Sequence, residues 1–369
     1  MSFDNTLRKL SNRDVLLIRV GGELGIKSRQ TRRRMKRNLQ NDLKKNLREY
    51  PSIRITQFRD RLILYSEVEF NFEAIVQTVT SRTSGISSVR VAKVVEATET
   101  EMITNGVLEA LKVIKPDSSF AVRVKREGTH KFSSLDIART LGSAILNSKI
   151  RNIHVNLDNP DYKIFFDIRE QLAFIYTKIN RGMDGIPSFS QGSAISLIRP
   201  NLNSILASWL MKKRGVDIIP IFFKTGNPHE NDYINYVKTF FNQEIKIIDM
   251  RYKLEQFKGH KSLCMLCQLY CEQICENESV DQNISVFIST TTFNFNNEIM
   301  SLEALKIIEK KRTLSVFRPI QFGFFGNAIN LESFNLNPCC QYRTKISLQL
   351  DEDFNENSIK DFINDNLMV

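Results

Sequence analysis

Six cysteines stand in this chain of 369 residues, all beyond residue 263: Cys264, Cys267, Cys271 and Cys275 in SLCMLCQLYCEQIC, and the adjacent Cys339 and Cys340. The first four are spaced by 3, 4 and 4 positions, so on one helix they share a face. Three thiolates that leave an iron position open suit an Fe–S cluster, whereas a fourth ligand suits structural zinc. A third reading is a buried apolar helix face on which cysteine acts as a small hydrophobe. A secreted disulfide framework would spread its cysteines through a smaller chain, which favours reduced thiols or a metal.

A second kind of chemistry lies in the arginines and lysines. The net charge is +11, and residues 1–50 hold 14 Lys or Arg against 5 Asp or Glu, so most of the excess sits in the first fifty positions. Lys27, Arg29, Arg32, Arg33, Arg34, Lys36 and Arg37 form a dense band, and Arg123, Lys125, Arg126 and Lys131 form another. Such bands suit a polyanion, because each neutralised phosphate releases counterions and a guanidinium offers phosphate oxygens a planar fork. A solvated helix face would show the same charge. A single Trp argues against a stacking platform and for recognition of folded RNA by backbone and shape.

The elements that position these groups can be read from periodicity. DVLLIRV (14–20) is a buried-strand run, and Leu39, Leu43 and Leu47 recur every four residues in a basic segment with Ser28 as N-cap. SIRITQF and DRLILYSEV read as a strand pair, followed by a helix near Phe72–Thr80. This order suggests a ferredoxin-like α+β unit. FAVRVKR (120–126), a helix over 133–146 capped by serine, YKIFFDIR and LAFIYTKI make a second α+β unit. After the Gly/Pro/Ser-rich RGMDGIPSFSQG, the runs AISLI, DIIPIFF and EIKIIDM alternate with helices as in a parallel α/β sheet. No stretch approaches the ~20 apolar residues of a membrane span and the first residues lack a signal-peptide core, so a cytoplasmic protein is expected.

Residues 120–187 resemble a THUMP domain with its linker, in the Arg-rich strand, in the Ser-Ser-capped helix bearing Ala138, Arg139 and Gly142, in the turn Val155–Asp161 and in Gly-Ile-Pro at 185–187. IRVGGELGIKSRQTRRRM is similar to the start of the ferredoxin-like domain of tRNA 4-thiouridine synthases (tRNA sulfurtransferases), and LASWLMKKRGVDIIPIFF resembles part of their PP-loop ATP-pyrophosphatase domain. The resemblance implies a ferredoxin-like domain (1–80), a THUMP domain (81–183), a linker (184–192) and a PP-loop-like parallel α/β domain (193–369), with tRNA as partner. It also implies a sulfur-handling role for Cys339 and a metal set drawn from Cys264, Cys267, Cys339 and Cys340.

The family's phosphate-binding Ser-Gly-Gly-x-Asp-Ser turn aligns with Arg199, Pro200, Asn201, Leu202, Asn203 and Ser204, where only the last serine remains. Proline removes an N–H donor, larger side chains fill space that glycine leaves open, and the carboxylate is an amide. A second ATP motif aligns with Thr290–Asn296 and has lost its glycines and acid, while Arg318, Pro319 and Ile320 stand at an Arg-Pro-Leu element followed by QFGFFG. The chain is therefore expected to bind tRNA in the service of thiolation or a related modification without adenylating it by means of ATP and magnesium. Two alternatives stay open: an active ATP-dependent synthase fed by a sulfur donor, and a non-catalytic subunit that forms a homodimer or pairs with an active paralogue.

Overall fold

The computed structural model describes residues 10–58, 61–259, 263–289, 309 and 312–319. The chain divides into two compact units, Met1–Gly185 and Ile186–Val369.

The first unit is built on one nine-stranded sheet in the order β2-β3-β1-β4-β8-β7-β5-β6, with β9 also paired to β4. Its strands are β1 (Asp14–Val20), β2 (Ile53–Phe58), β3 (Arg61–Ser66), β4 (Ile86–Glu96), β5 (Ser119–Glu127), β6 (His154–Val155), β7 (Tyr162–Arg169), β8 (Leu172–Tyr176) and β9 (Asn180–Arg181). Helices α1 (Arg29–Asn46), α2 (Glu73–Arg82), α3 (Glu99–Val113) and α4 (Ser134–Leu146) join them. The serine caps expected at Ser28 and Ser133 both form. Ser28 accepts from the Thr31 N–H at 3.3 Å, and Ser133 and Asp136 make a reciprocal capping box at 3.1 and 2.9 Å.

β4 is eleven residues long and joins the two halves. Its one edge pairs with β1 along 86–93, and its other edge pairs with β9 at Ser88–Val89 and with β8 at Lys93–Glu96. The halves expected as separate domains thus share a sheet, and β4 and α3 are elements that the sequence reading had not placed. Alternation splits the β4 side chains between two faces. Val89 packs under α1 and α2 with Leu39, Leu43 and Ile75, and Val95 packs under α3 and α4 with Met102 and Leu141. Gly106 lets α3 lie close, since a Cβ there would stand 2.7 Å from the Phe166 ring and 2.8 Å from Leu141.

The other face of this sheet closes on itself. Val15, Leu17, Phe58, Ile63, Ala92, Val94 and Phe174 form one core from strands of both halves. Phe58 of β2 and Phe174 of β8 have ring centroids 6.0 Å apart. Arg61 of β3 reaches Asp167 of β7 at 3.5 Å. In a flat sheet β3 and β7 would lie roughly 19 Å apart, four inter-strand steps. These contacts therefore require a strongly coiled sheet, concave on the face away from the helices.

The second unit carries a parallel sheet in the order β12-β11-β10-β13-β14. Its strands are β10 (Ser193–Ile198), β11 (Asp217–Lys224), β12 (Lys246–Asp249), β13 (Val286–Ile288) and β14 (Ser315–Phe317). Helices α5 (Leu202–Lys213), α6 (Glu230–Phe241), α7 (Arg251–Gln256) and α8 (Leu263–Asp281) cover it. Pro220 sits inside β11 opposite Ser196, one residue before β12 begins to pair at Ile221, so its missing N–H interrupts no bond to β12. The order reverses at β10, where α/β sheets of this kind hold ligands outside the carboxyl ends of their strands. No described helix is long and apolar enough to cross a membrane.

Candidate nucleic-acid interface

The α1 helix buries Met35, Leu39 and Leu43 and turns its basic residues outward. Arg29, Arg32, Arg33, Lys36 and Arg37, with Gln40 and Gln57, line an open groove of about 420 Å³. Arg29, Arg33, Arg34 and Arg37 are exposed and make no ion pair with a described residue, whereas Lys27 and Lys36 are half-buried. Arg32 is engaged locally: its Nη2 donates to the Gly25 and Lys27 carbonyls, both at 3.0 Å, and ties the chain before α1 to its first turns. The groove is therefore strongly cationic, with its charge supplied by one helix face.

The second basic band is placed elsewhere. Phe120 and Val122 point into the core under α3 and α4, so Arg123 and Lys125 project from the concave face, where they are exposed. Arg123 donates to the Leu157 carbonyl. Arg126 lies on the helix side, its Nη1 3.4 Å from Nδ1 of His130, and Lys131 is exposed in the following loop. Both bands thus belong to one unit, and Arg123 and Lys125 of the second lie on the sheet face opposite α1.

A cluster that the sequence reading missed lies on the concave face. Asp167 pairs with Arg169 at 2.9 Å as well as with Arg61, and Arg169 also pairs with Glu127. Arg90 lies over the Tyr176 ring at 5.1 Å. Its signal was present in the strands: the runs RLILYS, SSVRV and FDIR each set charged residues beside strongly apolar ones.

In the second unit the turn aligned with the phosphate loop is satisfied from within. Asn201 Oδ1 accepts from the Ser204 N–H at 3.0 Å and caps α5. Ser204 is buried, and its hydroxyl accepts from the Arg199 N–H at 3.2 Å and is 2.8 Å from the Arg199 and Asn201 carbonyls. Pro200 is buried and Asn203 is exposed. The helix N-terminus, where a phosphate would be received, is therefore occupied by the amide of Asn201.

Beside the reversal point lies a buried ionic network. Glu272 on α8 receives Arg312 and Ser289, with Gln268 at 2.8 Å and Arg318 at 3.8 Å. Glu276 accepts from the Thr313 N–H at 2.8 Å and from Arg312 at 3.4 Å, and Arg318 pairs with Glu309 at 2.6 Å. Burial by itself would raise the Glu272 pKa, yet Arg312, Arg318 and the bonds from Ser289 and Gln268 hold it below its ordinary value. Arg318, expected as a remnant of a nucleotide element, is thus paired inside the protein.

Cys267, Cys271 and Cys275 do share a helix face, and that face is core: they pack with Ile195, Leu197, Phe223 and Phe287. Burial pushes the Cys271 and Cys275 thiols well up, with Cys267 adding to the first and Glu272 to the second. Protonated thiols in an apolar layer are the opposite of metal-binding thiolates. Among the described residues no three His, Cys, Asp or Glu side chains converge on a metal position. Cys271 and Cys275 are thus core side chains, whereas of the expected metal set Cys264, Cys267, Cys339 and Cys340 only Cys267 has its side chain among the described residues. Cys264 lies in the first turn of α8, while Cys339, Cys340, Ile320, the QFGFFG run and Thr290–Asn296 lie outside the described residues.

Two family models match: the ThiI ferredoxin-like domain over residues 15–89 and the THUMP domain over residues 98–178. A Methanosarcina mazei protein named "Probable tRNA sulfurtransferase" is 33% identical over 216 residues, covering 52% of this chain and 53% of the relative. One of the same name from Saccharolobus islandicus is 27% identical over 323 residues, covering 83% and 82%. The chain spans 53% and 58% of the lengths of the first two curated relatives it matches, the second from Sulfurisphaera tokodaii. In structure it is similar to PH1313 from Pyrococcus horikoshii, with TM-score 0.63, 25% identity and coverage of 84% of this chain and 94% of that one. A 4-thiouridine synthetase solved with RNA and ATP shares the fold at TM-score 0.67 and 20% identity, covering 84% and 81%. The chain thus carries a ThiI ferredoxin-like domain and a THUMP domain, in that order, ahead of a parallel α/β unit, and over these it is similar to tRNA sulfurtransferases.

Proposed function

We propose that this protein binds tRNA through its first unit and serves tRNA thiolation or a related modification, without adenylating the RNA itself. The observation that carries the binding half is the α1 groove, in which Arg29, Arg33 and Arg37 stand exposed with no described counter-charge. Unneutralised guanidinium groups on a rigid helix suit RNA phosphates, and the THUMP match supports tRNA as the source of them.

The catalytic half rests on the Arg199–Ser204 turn. A phosphate cradle needs converging, unoccupied backbone N–H groups. Here Pro200 lacks one, and Asn201 and Ser204 satisfy others internally. An active synthase is the second reading, favoured by the likeness to sulfurtransferases over most of the chain. Incubation with ATP, magnesium and unmodified tRNA separates the two. The protein is expected to release no pyrophosphate above a protein-free control while binding the tRNA. Robust tRNA-dependent release would establish the second reading.

A further inference from the structure

The strand register brings an unusual row of side chains together on the concave face of the first unit. Arg61 on β3 is directly opposite Arg19 on β1, Arg19 is opposite Ser88 on β4, and Ser88 is opposite Arg181 on β9. Arg90 stands two residues further along β4 and so projects from the same face. Like charges directly opposite in a strand pair are destabilising unless something compensates them. Asp167 does so for Arg61 and, together with Glu127, for Arg169, while Arg19, Arg90 and Arg181 make no ion pair with a described carboxylate.

Arg90 is the telling member. It is only 6% exposed, yet its Nε and Nη1 are buried without a hydrogen-bond partner among the described residues. Buried guanidinium N–H groups are seldom left unpaired, because each forfeits its bonds to water. Burial, opposed by Tyr176 and reinforced by Arg61 and Arg19, lowers its pKa. Arg19 and Arg181 are exposed and form the rim of the same cluster. A buried donor at the base, a hydroxyl at Ser88 and two accessible guanidiniums at the rim together describe a receptor for an oxyanion.

We infer that Arg19, Ser88, Arg90 and Arg181 form a phosphate-binding site for the RNA backbone, on the sheet face opposite the α1 groove. The inference rests on the tRNA-binding reading, and it adds a surface which that reading did not use. Arg19 and Arg181 are two strands apart, about 10 Å between backbones, so the rim suits a run of phosphodiesters better than one isolated ion. Arg123 and Lys125, exposed on the same face, extend the positive field toward the THUMP half.

The test uses the full chain and unmodified tRNA carrying either a 5′-phosphate or a 5′-hydroxyl, with binding measured by fluorescence anisotropy over a salt series. Arg19→Gln with Arg181→Gln changes two exposed side chains, and a thermal melt checks that the fold is retained. The double variant is expected to bind both RNAs roughly tenfold more weakly, with the log–log salt slope reduced by nearly two. Unchanged affinity and slope, with Arg33→Ala still weakening binding, would overturn the site while leaving the tRNA reading intact. A loss confined to the 5′-phosphorylated RNA would overturn the backbone assignment in favour of a terminal phosphate. No binding of tRNA by the unaltered protein would instead overturn the reading on which the site rests.

Discussion

Arginine serves opposite ends in the two units. On α1, Arg29, Arg33 and Arg37 line an open groove and meet no described carboxylate, so their charge is directed outward. Around α8, Arg312 and Arg318 are nearly buried, and Glu272, Glu276 and Glu309 absorb their charge. The same side chain is left open to solvent in one setting and serves as an internal strut in the other. What separates them is the supply of carboxylates on the neighbouring element: α8 presents glutamates at positions 272 and 276, one turn apart and both facing inward. α1 presents none toward its groove. A basic motif in sequence is therefore only half of a site, and the counter-charges packed around it decide its role.

The sharpest way to break this comparison is to remove the carboxylate that makes the strut. Glu272→Gln leaves two buried guanidiniums facing a neutral amide, and loss of one partner in such a pair costs about 3–5 kcal/mol. Urea unfolding of the second unit at neutral pH measures it. A loss below about 1 kcal/mol would mean that Glu276 and Glu309 hold both arginines unaided. The pH dependence has a defined sign. Because the folded pKa of Glu272 is depressed, its stabilisation is present above the unfolded carboxylate value of about 4.3 and is lost as pH falls through the lower folded value. Wild type and variant should accordingly converge in stability as the pH drops below about 4.

Removing the outward-facing charges tests the other half of the contrast. Arg33→Ala with Arg37→Ala is expected to leave stability within about 0.5 kcal/mol, since neither side chain is buried or paired. It should weaken tRNA binding and reduce the salt slope by roughly 0.9 for each phosphate that is no longer neutralised. Arg32→Ala differs, because Arg32 holds the Gly25 and Lys27 carbonyls; it should lower the melting temperature as well. A melting temperature unchanged by Arg32→Ala would place that residue with the outward-facing charges.

The smallest effect concerns the turn that lies between these extremes. Asn201 caps α5, so Asn201→Ala should cost about 1 kcal/mol and Asn201→Gly only a few tenths. Opening the turn with glycine is also expected to leave it without pyrophosphate release, because Pro200 still lacks its N–H. Recovery of ATP-dependent activity in Asn201→Gly would show that one side chain, rather than the whole turn, blocks the phosphates.

Much of the fold was legible because its signals are local. The serine caps at Ser28 and Ser133, the four-residue spacing of Leu39 and Leu43, and the apolar runs of β1, β10 and β11 each act within a few residues of themselves. The shared helix face of Cys267, Cys271 and Cys275 was equally plain, since it follows from the helical repeat alone. Its meaning was not: a row of thiols looks the same facing a metal or facing Phe287. β4 escaped notice because ISSVRVAKVVE is buried on both faces in part and carries serines and basic residues, which blur its alternation.

The sequence by itself determined most of the elements, the family resemblance and the presence of two basic bands, all of which depend on residue type and short-range spacing. Tertiary structure alone decided that Arg123 and Lys125 lie on the opposite sheet face from α1, and that Arg318 is neutralised by Glu272 and Glu309. It alone brought Arg61, Arg19 and Arg181 into one row. Those three come from strands more than forty residues apart in the chain at each step but one hydrogen-bonded neighbour, or two, apart in the sheet. Pairing register and sheet curvature set such neighbours, and both arise from the packing of the whole unit rather than from any segment of it.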